Sequence, residues 1–128
     1  MSFMLATAAV LTLGIGVAHS WLGERFLIVR LLRRPDLPPL FGDDRFTRAT
    51  LRFAWHLTTV AWWGLASVLV FLSGAIEGLS VAHGVLWSIA GTFAASAILT
   101  LVASRGRHLA WVVFAAIAAL CAAAACVS

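Results

Sequence analysis

Four apolar stretches, near residues 3–22, 53–72, 81–103 and 108–127, dominate this chain. Each reaches the roughly 20 residues that a helix needs to cross a bilayer. Few folds are open to a sequence written this way. A soluble domain of 128 residues leaves much of its surface in water and has no place to hide four such segments. Hydrophobic residues make up 62% of the chain and charged residues 11%, against roughly a quarter charged in an average soluble domain. Lipid is the matching solvent. The expected fold class is therefore all-α, an integral membrane four-helix antiparallel bundle forming a single domain over residues 1–128.

Orientation follows from the basic residues. All nine are arginine. Seven lie in the connector 23–52, and Arg105 and Arg107 lie in the tight turn between the third and fourth spans. The loop between the second and third spans carries only Glu77. The positive-inside rule puts the arginine-bearing connections in the cytoplasm and both termini in the periplasm of a bacterial inner membrane. A sequence pI near 11.1 raises nucleic acid as a partner. The arginines, however, sit between apolar spans without interleaved aromatics, and anionic lipid headgroups are the partner they fit. The absence of lysine beside abundant Ala and Arg points to a GC-rich bacterial genome.

Local patterning refines the picture. A secretory signal carries its positive charge before the apolar run, whereas here it follows, so an uncleaved first span is expected. Residues 24–34 read as an interfacial helical extension of that span, with arginines reaching headgroups and Phe, Leu and Ile in the acyl boundary. Pro35, Pro38 and Pro39 end it, and an Asp of the Gly42-Asp43-Asp44 run is expected to cap the next helix near Arg45. Small-residue seams are expected to close the bundle, with Gly84, Ser88, Gly91, Thr92 and Ala95 on the third span and Ala115, Ala119, Ala122 and Cys126 on the fourth. Cys121 and Cys126 are about 140° apart around a helix and read as small packing residues. Trp21, Trp55, Trp87 and Trp111 fall near span ends as an aromatic belt, while Trp62 and Trp63 fall near the bilayer centre.

The chemistry-bearing residues concentrate on the first two spans. Arg52, His56, Thr59, Trp63 and Ser67 share one stripe of the second span, and Thr12, Gly16, His19 and Gly23 share one of the first, with Ser20 and Glu24 at its edge. His19 and His56 fall at matched depths near the cytoplasmic face, and His108 falls shallower on the same side. Ionisable groups inside a membrane are costly and mark functional sites. Three ligand chemistries fit this patch: a b-type haem with His19 and His56 as axial ligands, a metal held by His19, His56, His108 and Glu24, and a proton-binding or quinone-contacting pocket. Arg52 and Trp63 would line the same polar pocket. An interfacial Glu24–Arg52 ion pair with structural histidines is the plainer alternative. No Cys-x-x-Cys pair, phosphate loop or nucleophile elbow is present. Small size without catalytic motifs points to a non-enzymatic accessory or regulatory subunit of a membrane assembly, partnered by another membrane protein or by a second copy of the chain.

The runs Ala18-His19-Ser20-Trp21-Leu22-Gly23-Glu24-Arg25 and Leu51-Arg52-Phe53-Ala54-Trp55-His56-Leu57-Thr58-Thr59, with Leu40-Phe41-Gly42 between them, resemble a family of small uncharacterised bacterial inner-membrane proteins. The resemblance covers the first half of the chain and extends over the rest by hydropathy. It implies a four-helix membrane architecture and no assigned activity.

Overall fold

A computed structural model describes residues 2–40, 42–76, 78 and 80–127. Four helices account for most of them: α1 (Ser2–Leu31), α2 (Arg45–Leu72), α3 (Val81–Ser104) and α4 (Ala110–Val127). All four are long and apolar enough to cross a membrane, so the chain is a multi-pass membrane protein and its fold is the expected all-α bundle. Backbone amides in lipid have no water to bond, and a helix satisfies them within the segment. Glu77 and Phe41 lie outside the described residues.

The helix boundaries depart from the apolar spans where polar residues extend them. α1 runs on past its apolar part to Leu31, as the arginine-rich extension requires. Within it, Gly23–Ile28 forms a wider π-helical turn, a feature that often accompanies functional sites. α2 starts at Arg45, eight residues before the apolar stretch, so its first two turns carry Arg45, Arg48 and Arg52. The cap at that end differs from expectation. Asp44 occupies the cap position without bonding a backbone amide, because its carboxylate pairs with Arg48 instead. Asp43 accepts from the Arg45 N–H at 3.1 Å in its place. α3 is capped by Ser80, whose hydroxyl accepts from the His83 N–H, and it ends where Arg105 and Gly106 turn left-handed at φ 51° and 79°.

Each helix packs on its neighbours in the chain: α1 on α2, α2 on α3, α3 on α4. Among the described residues α1 makes no close backbone approach to α3 or α4. The two sides of α2 are thus flanked by helices that do not meet over it. α3 is the most enclosed member, with 28% of its apolar window buried against 6–11% for the others. Small residues allow this. A Cβ on Gly64 of α2 would overlap the Thr92 side chain, and one on Gly84 of α3 would overlap the Phe71 ring. The hydroxyls of Ser88, Thr92, Ser96 and Ser104 each donate to the carbonyl four residues back, at 2.6–2.8 Å. That local bond lets a polar group sit inside a membrane bundle without a tertiary partner.

Two seams are arranged differently from the sequence pattern. On α3, Gly84 and Ser88 are buried, but Gly91 and Ala95 are exposed, and both line an open cleft between α2 and α3. On α4, Ala119 and Cys126 face outward, and the buried residue is Ala125. The Phe93–Phe114 ring contact, centroids 5.8 Å apart, draws the Phe114 side of α4 onto α3. An aromatic pair thereby outweighs an alanine stripe in choosing the face. Both cysteines are free thiols.

Candidate functional site

The polar patch forms where the arginine-bearing half of α1 meets that of α2. Residues four apart stack on one helix face, so Gly16, Ser20 and Glu24 align on α1 opposite Arg52, His56, Thr59 and Trp63 on α2. The antiparallel register brings them together in order. Glu24 splits its carboxylate between two partners, with Oε1 2.9 Å from Arg52 Nη2 and Oε2 3.3 Å from His56 Nε2. His56 Nδ1 lies 2.9 Å from Ser20 Oγ, and Ser20 Oγ lies 2.7 Å from Thr59 Oγ1. Thr59 Oγ1 lies 3.3 Å from the Gly16 carbonyl oxygen, to which it can donate. The result is an unbroken polar chain from Arg52 at the rim to a backbone carbonyl in the span. Thr59 and Gly16 are buried, while Ser20, Glu24 and His56 are half-buried.

Two tryptophans hold the helices at this separation. Trp55 donates its indole N–H to the His19 carbonyl at 3.2 Å, and Trp63 donates to the Leu13 carbonyl at 3.3 Å. Their rings need room that only glycine leaves. A Cβ on Gly16 would lie 2.6 Å from the Trp63 Nε1, and one on Gly23 would overlap the Trp55 indole. Trp63, although exposed on the bundle surface, thus has its indole N–H satisfied by backbone.

The expected pairing of His19 with His56 is not what forms. His19 stacks on Trp55, with centroids 4.2 Å apart and planes 7° from parallel, and Trp62 closes on it at 4.9 Å. Its Nε2 is buried without a hydrogen-bond partner among the described residues. His56 instead has both ring nitrogens engaged by Glu24 and Ser20. The two imidazoles therefore belong to adjacent but separate clusters. One step along a helix turns a side chain by about 100°, which carries His19 to Trp55 while Ser20 takes the place facing His56. A haem ligated by both needs each to present a free ring nitrogen to one iron, and this arrangement does not fit that group.

The four-residue metal set is corrected likewise. Glu24 and His56 meet, but His108 lies in the turn before α4, against Phe46 and Phe53 at centroid distances of 6.2 and 5.4 Å, and His19 is held in its tryptophan stack. Among the described residues no group of three or more His, Cys, Asp or Glu is placed to hold a metal ion. Of the anticipated pocket residues, the structure brings together Glu24, Arg52 and His56, with Trp63 about two turns further along α2. Ser20, expected only at the edge of the stripe, is central. Its position four residues before Glu24 was the available signal.

Outside the spans, the connector is tied by carboxylates. Arg34 makes a two-point contact with Asp36 at 2.9 and 2.6 Å, which holds the Asp36 carboxyl below its ordinary value. Arg48 does the same for Asp44 while also donating to the Arg34 carbonyl at 2.8 Å. Thr47 donates to the Pro38 carbonyl at 2.7 Å. These bonds fold the proline-rich segment back onto the start of α2.

Comparison with family models, curated proteins and solved structures gives no match to this chain.

Proposed function

We propose that this chain is a non-enzymatic regulatory subunit of a bacterial inner-membrane assembly, and that it responds to cytoplasmic protons through His56. In this reading the connector faces the cytoplasm and both termini face the periplasm, as the one-sided arginines favour. The observation that carries the proposal is the engagement of both His56 ring nitrogens, one by the Glu24 carboxylate and one by the Ser20 hydroxyl.

Counting hydrogens gives the mechanism. A carboxylate only accepts, so a neutral His56 must present Nε2–H to Glu24 and a lone pair at Nδ1. Ser20 then donates to Nδ1 and accepts from Thr59, whose single hydrogen is no longer free for the Gly16 carbonyl. The chain has four links and three hydrogens. Adding one proton at Nδ1 changes this. Imidazolium donates to Ser20, Ser20 donates to Thr59, and Thr59 donates to Gly16. Protonation thus reverses two hydrogen bonds and completes a third, along the seam that joins α1 to α2. Histidine is the side chain suited to such a change near neutral pH, and a change in bonding between two packed helices is a signal that a partner helix can read.

Nitrogen-15 spectra of the His56 ring, recorded on the full chain in lipid nanodiscs between about pH 5 and 9, test this. The expected result is an Nε2–H tautomer at the alkaline end and a doubly protonated ring at the acid end, with the Gly16 carbonyl shift moving in step. A ring that stays in one state throughout, or a Gly16 signal indifferent to it, would sink the reading. Gentle cross-linking in native membranes tests the assembly. A monomer with no membrane-protein partner and no second copy would speak against a subunit role.

A further inference from the structure

Because α1 and α3 do not meet over α2, a groove of about 660 Å³ is left above the first turns of α2. That size lies within the range of small-ligand sites. Its walls are of two kinds. Val29 from α1, Phe53 from α2 and Leu99 from α3 give it an apolar floor, and Arg33, Arg48 and Arg52 stand along it. A second cleft of about 700 Å³ shares Arg45, Ala49 and Ala103 with the first and adds Arg105 and Arg107. The two clefts lie side by side along Arg45, Ala49 and Ala103, a two-part depression at the arginine-bearing end of the molecule.

We infer that this depression is a binding site for one anionic phospholipid, its phosphate among the arginines and an acyl chain on the Val29–Phe53–Leu99 floor. The charge balance is the first argument. Arg48 and Arg52 are neutralised by Asp44 and Glu24, and Arg45 has only a 4.0 Å contact with Asp43. Arg33, Arg105 and Arg107 make no ion pair among the described residues. Uncompensated guanidinium groups around a concavity match a phosphate, which they can bind in bidentate fashion. The second argument is the floor. Free phosphate has no use for an apolar floor, whereas a lipid with an anionic headgroup fills both parts. Headgroup attraction to arginines on an open surface is general, but here three helices contribute to one recess. This site borders the proposed protonation site, since His56 and Arg52 line the groove as well, and its test alters neither residue.

The experiment is binding of short-chain phosphatidylglycerol to the delipidated full-length protein in non-ionic detergent, followed by native mass spectrometry and calorimetry. Phosphatidylcholine and inorganic phosphate serve as comparison ligands. Phosphatidylglycerol should bind with unit stoichiometry, and the other two should neither bind comparably nor displace it. Neutralising one arginine of the recess, by Arg33→Gln or Arg105→Gln, should weaken binding about fivefold, the equivalent of about 1 kcal/mol per basic residue. Arg30→Gln removes the same charge from the same α1 extension outside the recess, and it should change binding less than about twofold on that scale. Ala103→Phe keeps every charge and fills the shared wall, so it should abolish binding of the lipid. Circular dichroism checks that each variant is folded; should Ala103→Phe fail that check, the arginine pair of variants decides. Equal losses in Arg30→Gln and Arg33→Gln would reduce the effect to diffuse surface attraction and overturn the site. Displacement by inorganic phosphate would assign it to the free anion instead and overturn the lipid.

Discussion

Ser20 Oγ lies 2.9 Å from His56 Nδ1 and 2.7 Å from Thr59 Oγ1, so one small hydroxyl bridges two α2 side chains a turn apart. Ser20→Ala removes that bridge and leaves a ring nitrogen and a threonine hydroxyl without it inside the seam. A buried polar group left unpaired costs roughly 1–3 kcal/mol, and partial exposure of His56 puts the expected loss near the lower end. Unfolding in mixed micelles checks the stability, and the same variant should uncouple the Gly16 carbonyl shift from His56 protonation. An unchanged response at Gly16 would mean that the polar chain does not transmit.

The glycines separate into those that admit a neighbour and those that do not. Gly16→Ala and Gly23→Ala each drive a methyl into a tryptophan that is itself bonded to the α1 backbone, and overpacking of this kind costs about 1–3 kcal/mol. Gly14 and Gly91 have nothing within 4 Å of a built Cβ. Alanine there should stabilise its helix by up to about 1 kcal/mol through propensity alone. Unfolding of the four variants side by side tests the contrast. Equal behaviour of all four would show that the tryptophan contacts do not set the α1–α2 spacing.

Much of the architecture was legible because lipid imposes it: span count, helical class and the grouping of arginines at one end all follow from hydropathy and length. The site was legible only in composition. Helical periodicity placed Arg52, His56, Thr59 and Trp63 on one face of α2 and Glu24 near its partner, but it centred the α1 stripe on His19. The error is one residue, and it turns the meaning of the site from paired imidazoles to a carboxylate–imidazole–hydroxyl chain. Three things decided it that a single-helix wheel does not contain. Trp55 offers a flat face that an imidazole stacks against, Gly16 and Gly23 let the indoles approach, and Gly23–Ile28 widens to a π-helical turn beside Glu24. The α4 face was misjudged for a similar reason, since one Phe93–Phe114 contact outweighed a run of alanines.

The connector carries a pH dependence of its own. Asp36 and Asp44 are held below the ordinary aspartate value of 3.8 by their hydrogen bonds to Arg34 and Arg48. A carboxyl depressed in the folded state contributes its stability fully above the unfolded value and loses it as the pH falls through the folded one. Asp36 is exposed and Asp44 partly so, so the contribution is small and the titration itself is the better readout. Carboxyl carbon shifts should give midpoints below 3.8 for both, and added salt should move them upward. Midpoints at or above that value would show that the connector ion pairs do not persist in solution.

The sharpest test of the polar chain is Glu24→Gln, which keeps the size of the side chain and alters what it can accept. The carboxylate accepts from Arg52 and His56 at once, one oxygen for each. An amide has a single oxygen and an NH₂ that only donates. Arg52 has nothing but hydrogens to offer, so it claims the oxygen and the NH₂ turns to His56. A donor facing Nε2 requires a lone pair there, and neutral His56 must then carry its hydrogen on Nδ1. That hydrogen points at Ser20, which donates to Thr59, which donates to Gly16. The substitution therefore locks, without any added proton, the bond directions that protonation produces in the native chain. The loss of a half-exposed ion pair should cost no more than about 1 kcal/mol, so the protein stays folded. Ring nitrogen spectra at alkaline pH should show Nδ1–H in the variant and Nε2–H in the native protein. The same tautomer in both would mean that Glu24 does not orient the ring.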